Sequence, residues 1–227
     1  MTESTLILTA LAIPLFGALV IALTGANRNL RDSLMVISAV LVFLTVLSIL
    51  PLVLDGQQPS IRLFDILPGL PLAFAIEPLG MLFGLIASGL WVITSVYGIG
   101  YMRGAHEKNQ TRFFACFSIA IFAALGVAFA ENMFTLFIFY EVLSLSTYPL
   151  VAHKGNEEAK RGARTYLALL LGTSIGLMLP AMLVTWFMAG TLDFVPGGIL
   201  QDNVSRSVGA ILLILYMYGI GKAALMP

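Results

Sequence analysis

Charge is what this sequence has least of. Lys, Arg, Asp and Glu make up 11% of its 227 residues, twelve basic and twelve acidic, where a soluble domain carries roughly 25%. The balance leaves no net field to draw in nucleic acid, so charge acts here through the placement of single residues. Cysteine is nearly absent too. Cys116 stands alone inside the apolar run 113–130, which excludes an intrachain disulfide and a cysteine cluster and reads as packing. There is no Walker loop, dinucleotide fingerprint or nucleophile elbow, so the chain offers no redox or hydrolytic centre of its own and no cofactor is expected in it. A basic stretch ahead of the first apolar run is also missing: Met-Thr-Glu-Ser-Thr precedes Leu6–Leu23, and no small-x-small site follows. That favours a retained helix over a cleaved signal peptide. Short repeats, low-complexity tracts and soluble-domain boundaries are lacking as well.

What the chain has is apolar length. Its residues are 59% hydrophobic with a mean hydropathy of +0.97. A bilayer core about 30 Å thick needs roughly 20 apolar residues per helix, and such runs recur between polar or Gly/Pro-bearing connections. They predict an all-α membrane protein of about seven transmembrane helices, at Leu6–Leu23, Ser33–Leu54, Pro78–Met102, Phe113–Ala130, Asn132–Ala152, Thr165–Ala189 and Val208 to the end. The whole of 1–227 reads as one transmembrane domain, with three helices in 1–102 and helices four to seven in 111–227. Two Pro- and Gly-rich connections, Ser60–Phe74 and Thr191–Asp202, are each expected to form a short hairpin capping the bundle.

Basic residues are retained on the cytoplasmic side of short loops. Arg28 and Arg31 fall between helices one and two, Arg103, Lys108 and Arg112 between three and four, and Lys154, Lys160, Arg161 and Arg164 between five and six. The opposite loops hold only Arg62 and Arg206. The N-terminus is therefore expected outside, with helix seven running inward.

Of the twelve carboxylates, only Glu141 lies deep in a span, ten residues into helix five, about 15 Å at 1.5 Å per residue. A charge there costs at least about 2.5–3.5 kcal/mol on insertion scales, so it calls for a bundle interior or water and a partner. Ser144 and Tyr148, at i+3 and i+7, extend a polar stripe along its face. The alternative is a structural hydrogen bond between helices. Lys222 is the one basic residue deep in a span and the natural partner, with Tyr218 one turn before it and Gly219, Gly221 and Pro227 around it. Glycines and a proline beside a buried charge predict a helix broken between Gly219 and Pro227, a recurring device for ion sites. Snorkelling is the bland reading for Lys222, and it suits helix ends. Pro180 is expected to kink helix six and free the carbonyl of Gly176. His153 and Lys154 end helix five, either as a proton relay or as interfacial anchors. A terminal carboxylate at Pro227 would sit uncompensated in hydrocarbon, so the chain is expected to be part of a longer protein or the product of a truncated or split gene.

These residues carry a resemblance. Glu131-Asn-Met-Phe-Thr-Leu-Phe-Ile-Phe-Tyr-Glu141-Val-Leu-Ser-Leu-Ser-Thr-Tyr-Pro-Leu resembles helix five of the antiporter-like subunits shared by respiratory complex I, Mrp-type sodium/proton antiporters and membrane-bound hydrogenases. Gly219-Ile-Gly-Lys222-Ala-Ala-Leu-Met-Pro227 is similar to the broken helix seven of the same family, and the likeness extends to the Tyr-Gly-Ile-Gly-Tyr-Met end of helix three. The D-type branch of the Mrp antiporters and the hydrogenase branch are nearest, through Ser-Thr-Tyr-Pro-Leu-Val-Ala-His. The resemblance implies an N-terminal half-bundle in which Glu141 and Lys222 form a coupled proton-transfer pair, supported by Ser144, Tyr148, Tyr218 and His153. It also implies neighbouring membrane subunits, protons and Na⁺ or K⁺ as cargo, a prokaryotic cell membrane and redox energy arriving from elsewhere. The family's second, inverted bundle is missing. Burial disfavours the charged form of either group and an opposite charge restores it, so separating the pair favours its neutralisation and makes it a switch.

Two other readings stand beside this one. Seven helices and a lysine in the last also describe a retinal protein, but Pro78–Met102 holds no carboxylate to serve as counter-ion. A truncated gene product would be a structural membrane subunit that transports nothing.

Overall fold

The computed structural model describes residues 3–67, 69–200 and 204–221. Helices α1 (Glu3–Leu23), α2 (Arg28–Leu54), α3 (Pro78–Gly104), α4 (Gln110–Ala128) and α5 (Met133–Val151) are each long and apolar enough to cross a membrane, as is the continuous helical stretch Glu157–Ala189. That stretch is divided into α6 (Glu157–Thr173), a π turn at Ser174–Met178, and α7 (Leu179–Ala189). The last helix, α8 (Arg206–Ile220), is apolar but only 15 residues long, about 22 Å. The chain is thus a multi-pass, mostly helical membrane protein. The break expected over Gly219–Pro227 lies largely outside the described residues, where α8 stops at Ile220 with Gly221 as its C-cap.

The helices begin where side chains can satisfy the free N–H groups of a first turn. Asn27, Asn132, Asn156 and Ser205 each accept a hydrogen bond from the amide three residues on. The caps explain two boundaries. Helix α2 starts at Arg28, so Arg31 belongs to its first turn and not to the loop. Helix α6 starts at Glu157, well before the apolar run, because Asn156 caps it and Glu157 and Glu158 suit the positive end of its dipole.

α1 packs against α2 and α4, and α2 against α3. They share an apolar core that includes Ile7, Ala10, Val42, Val46, Trp91 and Phe129. α5 joins through α4: Phe139 meets Phe122 and Phe74 edge-on, with ring centroids 5.2 and 5.3 Å away. Gly126 makes this approach possible, since a Cβ there would lie 2.0 Å from Phe139 Cδ1. Leucines, phenylalanines and tyrosines stay exposed along the outside of the helices, which for a chain of this kind is the surface met by lipid or by other helices.

At one end lies the expected hairpin, β1 (Ser60–Leu67) paired antiparallel with β2 (Leu70–Ala75). Its second strand is tied to the start of α5: Asn132 Nδ2 donates to Pro71 O at 3.0 Å, and the buried Thr135 Oγ1 accepts from Ala73 N at 3.1 Å. The hairpin expected at Thr191–Asp202 does not form among the described residues. Pro196 and the positive-φ Gly197 and Gly198 turn the chain, with Gly198 N donating to Val195 O at 3.0 Å. Asp193 instead bridges to Asn132, and Met133 N donates to Leu192 O at 3.0 Å.

The connections rich in Lys and Arg gather at the other end. There Asp32 sits between two guanidinium groups. Arg31 Nε lies 2.7 Å from its Oδ1, and Arg103 Nε lies 2.7 Å from its Oδ2. Arg31 also donates to Gln110 Oε1 at 2.9 Å and Thr111 Oγ1 at 3.2 Å, and stacks over Phe114 at 5.2 Å. This network binds the ends of α2, α3 and α4 together.

Candidate functional site

Glu141 sits on α5, eight residues in from Met133, about 12 Å along the axis. The residue is half-buried, and its Oε2 is shut off from solvent. Ser144, one turn on, is buried, but its hydroxyl donates to Tyr140 O at 2.9 Å within the same helix. Tyr148 is half-buried one turn further. Between them, Thr147 Oγ1 lies 3.4 Å from Tyr166 Oη and joins α5 to α6. These hydroxyls line the half of α5 between Glu141 and the Arg-rich end.

His153 closes that half, just past Val151. Its ring stacks edge-on against Phe113 at 5.3 Å, its Nε2 is 3.6 Å from Glu107 Oε2, and its carbonyl accepts from Arg112 Nη2 at 3.3 Å. Both ring nitrogens are buried without a hydrogen bond. A cavity of about 460 Å³ opens beside them, with Glu107, His153 and Lys154 at its polar side and Tyr97, Tyr101 and Phe117 along its apolar wall. Glu107 is a neighbour that sequence reasoning missed. It is 46 residues from His153, and nothing local in the sequence pairs them.

Toward α8, Tyr140 supplies a link. Its hydroxyl donates to the carbonyl of Ile220 at 2.6 Å, satisfying one of the free carbonyls that a helix C-terminus leaves. Ile220 is the last residue of α8 and stands two positions before Lys222. Lys222 itself lies outside the described residues. Tyr218, expected on the same face as Lys222, is 58% exposed and points out of the described bundle. Pro180 lacks an N–H, and the helix ahead of it carries the π turn, in which Leu179 N bonds back to Ser174 O. Gly219 of α8 packs onto that turn so closely that a Cβ on it would meet Met178 N at 2.6 Å.

On the hairpin side, a second cavity of about 760 Å³ lies among the 192–200 loop, α7 and α8, and reaches Thr185 and Tyr216. Tyr216 Oη donates to Thr185 Oγ1 at 2.9 Å. Glu131 and Asp193 meet near this end. Burial, and secondarily the charge of Asp193, hold Glu131 above its ordinary carboxylate range, while Arg62 opposes the shift. Among the described residues no group of three or more His, Cys, Asp or Glu side chains is placed to hold a metal ion.

Residues 130–227, which carry Glu141 and Lys222, match the family model described as NADH:quinone oxidoreductase/Mrp antiporter, TM. The NAD(P)H-quinone oxidoreductase chain 5 of Synechocystis sp. is 26% identical over 167 residues, a stretch covering 70% of this chain and 24% of that protein. The chain therefore spans about a quarter of that relative's length. Among solved structures, a chain of the membrane-bound sulfane sulfur reductase, an archaeal respiratory membrane complex, superposes with a TM-score of 0.81 at 20% identity, over 95% of this chain and 44% of that one. A chain of the Mrp complex from Dietzia sp. gives 0.78 at 17% identity, over 95% and 23%. These two likenesses establish the fold, which is that of an antiporter-like membrane subunit. Residues 130–227, the segment that holds α5 and α8, thus match the NADH:quinone oxidoreductase/Mrp antiporter transmembrane family model, and the described chain shares the fold of the two membrane-complex chains on which it superposes.

Proposed function

We propose that this chain supplies the first half-channel of a proton-translocating membrane subunit, with Glu141 and Lys222 as its proton-transfer pair. The host is a complex of the NADH:quinone oxidoreductase, Mrp-type cation/proton antiporter or membrane-bound hydrogenase kind in a prokaryotic cell membrane. Its partners are the neighbouring membrane subunits, and its cargo is protons, exchanged for Na⁺ or K⁺ in an antiporter host. The first three helices, 1–102 as read from the sequence, are the supporting part, and 111–227 forms the half-channel.

One observation carries this reading. The Tyr140 hydroxyl reaches Ile220 O at 2.6 Å, so the residue beside Glu141 touches the helix end from which Lys222 follows two positions later. Chain connectivity limits that step to about 7 Å. A charged carboxylate in the middle of an apolar span is costly, and pairing with Lys222 offsets that cost while leaving a pair whose charge depends on separation. Ser144, Tyr148 and His153 extend from Glu141 toward the Arg-rich end and support a path for protons there. Tyr218 joins such a path only where a further surface covers its exposed face.

The test is proton flux in the full-length protein within its assembled complex. Glu141→Gln is nearly isosteric and should leave assembly intact, yet it removes the acid and unpairs Lys222, so flux should be largely lost. Lys222→Ala should do the same. The double variant should be less than additively worse, since two groups acting as one switch lose it once. Near-normal flux in assembled Glu141→Gln complexes would return the glutamate to a structural role.

A further inference from the structure

We infer that Glu107 is the proton-loading residue at the Arg-rich end of the half-channel, exchanging protons with His153 beside the cavity that both line. The inference rests on the function proposed above and adds to it the group through which protons enter or leave the path on that side.

A concentration of positive charge is a poor place to collect protons, because it repels hydronium and occupies carboxylates in ion pairs. The acids at this end divide accordingly. Asp32 is locked between the guanidinium groups of Arg31 and Arg103, at 2.7 Å from the Nε of each. Glu157 is paired with Lys160 at 2.9 Å, and Glu158 is exposed on the first turn of α6. Glu107 instead faces a histidine, with its Oε2 3.6 Å from His153 Nε2. The Glu107 side chain is 34% exposed and that of His153 13%. The more exposed group meets bulk water and the more buried one carries the proton on, which is the order a loading step needs.

Both residues are held by their backbones while the reactive atoms stay free. Glu107 N donates to Met102 O at 3.0 Å, and its carbonyl accepts from Gln110 Nε2 at 3.0 Å. The His153 carbonyl accepts from Arg112 Nη2 at 3.3 Å, and its ring rests edge-on against Phe113. Neither ring nitrogen has a hydrogen bond among the described residues. A histidine whose Nδ1–H is tied to a carbonyl is held in one tautomer, whereas this ring is free to take a proton on one nitrogen and give one up from the other. The 3.6 Å separation is closed by one bridging water or a small turn of the Glu107 side chain. The cavity of about 460 Å³ gives water the room and the polar partners it needs. Tyr97 and Tyr101 line it from α3, Ala159 from α6, and Lys154 beside His153.

The step is a plain proton transfer. Protonated Glu107 gives up the proton on Oε2, and His153 Nε2 takes it, leaving an imidazolium beside a carboxylate whose charge stabilises it. Nδ1 then releases its own proton to the path along α5, and a turn of the ring restores the starting form.

Proton flux through the full-length protein in its assembled complex, reconstituted in liposomes, tests this. Glu107→Gln keeps the size and polarity of the side chain but cannot carry a proton, so flux should fall about tenfold. That is less than the roughly 10²–10⁴ supplied by a positioned acid–base group, because water in the cavity still reaches His153. Glu107→Asp should recover part of the loss. Formate added on the Arg-rich side should restore flux to Glu107→Ala, and imidazole should restore it to His153→Ala, since the cavity adjoins both vacated positions. Neither additive should raise flux in wild-type or Glu141→Gln complexes. Near-normal flux in assembled Glu107→Gln complexes would overturn the inference, and so would a loss that neither additive reverses, which is the mark of a merely structural contact. Glu141→Gln separates the two proposals. Flux lost there but normal in Glu107→Gln removes the loading residue and leaves the proposed pair standing. Flux normal there but lost and formate-restored in Glu107→Ala removes the pair and leaves the loading residue.

Discussion

Asp32→Asn tests whether the Arg-rich end of the bundle is held by charge pairing or by packing. The Asp32 and Arg31 side chains are 5% and 3% exposed, and Arg103 is 41% exposed. The carboxylate receives Arg31 at 2.6 and 2.7 Å and Arg103 at 2.5 and 2.7 Å. Asparagine keeps the shape and one acceptor oxygen but removes the charge, and its amide nitrogen then faces a guanidinium. Removing one partner of a buried pair costs about 3–5 kcal/mol, because the other charge is left without compensation. Here Arg31 keeps Gln110 and Thr111, and Arg103 keeps Asn29 and can turn to water. The loss should therefore fall near about 3 kcal/mol. At roughly 2–4 °C per kcal/mol, the melting temperature should drop by about 6–12 °C. Thermal melting of the purified full-length protein, followed by its intrinsic fluorescence in detergent, gives the measurement. A paired neutral replacement, Arg31→Met with Asp32→Leu, should be milder than Asp32→Asn alone, since it leaves Arg103 as the one charge to be rehydrated. An Asp32→Asn protein melting within about 1 °C of the wild type would refute the reasoning, because that shift is worth well under 1 kcal/mol.

Two further outcomes follow from the packing and the charges. Gly126→Ala drives a methyl into the Phe139 ring and should destabilise the α4–α5 contact by about 1–3 kcal/mol; combining it with Phe139→Leu should recover part of the loss in the same melting assay, and equal melting of Gly126→Ala and wild type would show that α5 is held elsewhere. Glu131 carries a raised folded-state affinity for its proton, from burial first and Asp193 second. Its unfavourable contribution is absent below the ordinary carboxylate range, sets in as pH rises through it, and is complete above the raised value. Glu131→Gln should accordingly melt above wild type at pH 7 with the gap closing on acidification, and a gap that does not change with pH would count against this origin.

The helices were legible because a transmembrane span announces itself in one dimension. About 20 apolar residues suffice, whatever they pack against, so α1 to α5 and the Glu157–Ala189 stretch sit where the apolar runs lie. Helix starts were less legible. Asn27 and Asn156 cap by a hydrogen bond three residues on, and this draws polar residues such as Arg31 and Glu157 into helices that hydropathy alone would leave outside. The two Pro- and Gly-rich connections looked alike as sequence, yet one pairs with itself and the other pairs with the start of α5. Competition for partners decided between them, and that competition exists only once the helices are assembled.

Glu141 could be singled out from the sequence because a charge in an apolar run is conspicuous without any knowledge of its neighbours. Its surroundings could not. Tyr140 meets Ile220 across 80 residues, Arg31 meets Gln110 across 79, and His153 meets Glu107 across 46. Each pair joins helix ends or loops that the sequence marks only as polar. The sequence by itself determined that this chain lies in a membrane, where its spans run and which acid falls in the middle of a span, but not that Asp32 is the buried one. Only the tertiary structure decided which polar groups share a site, because hydrophobic length is a property of one segment, whereas a hydrogen bond or ion pair exists only when packing brings two distant segments within about 3 Å of each other.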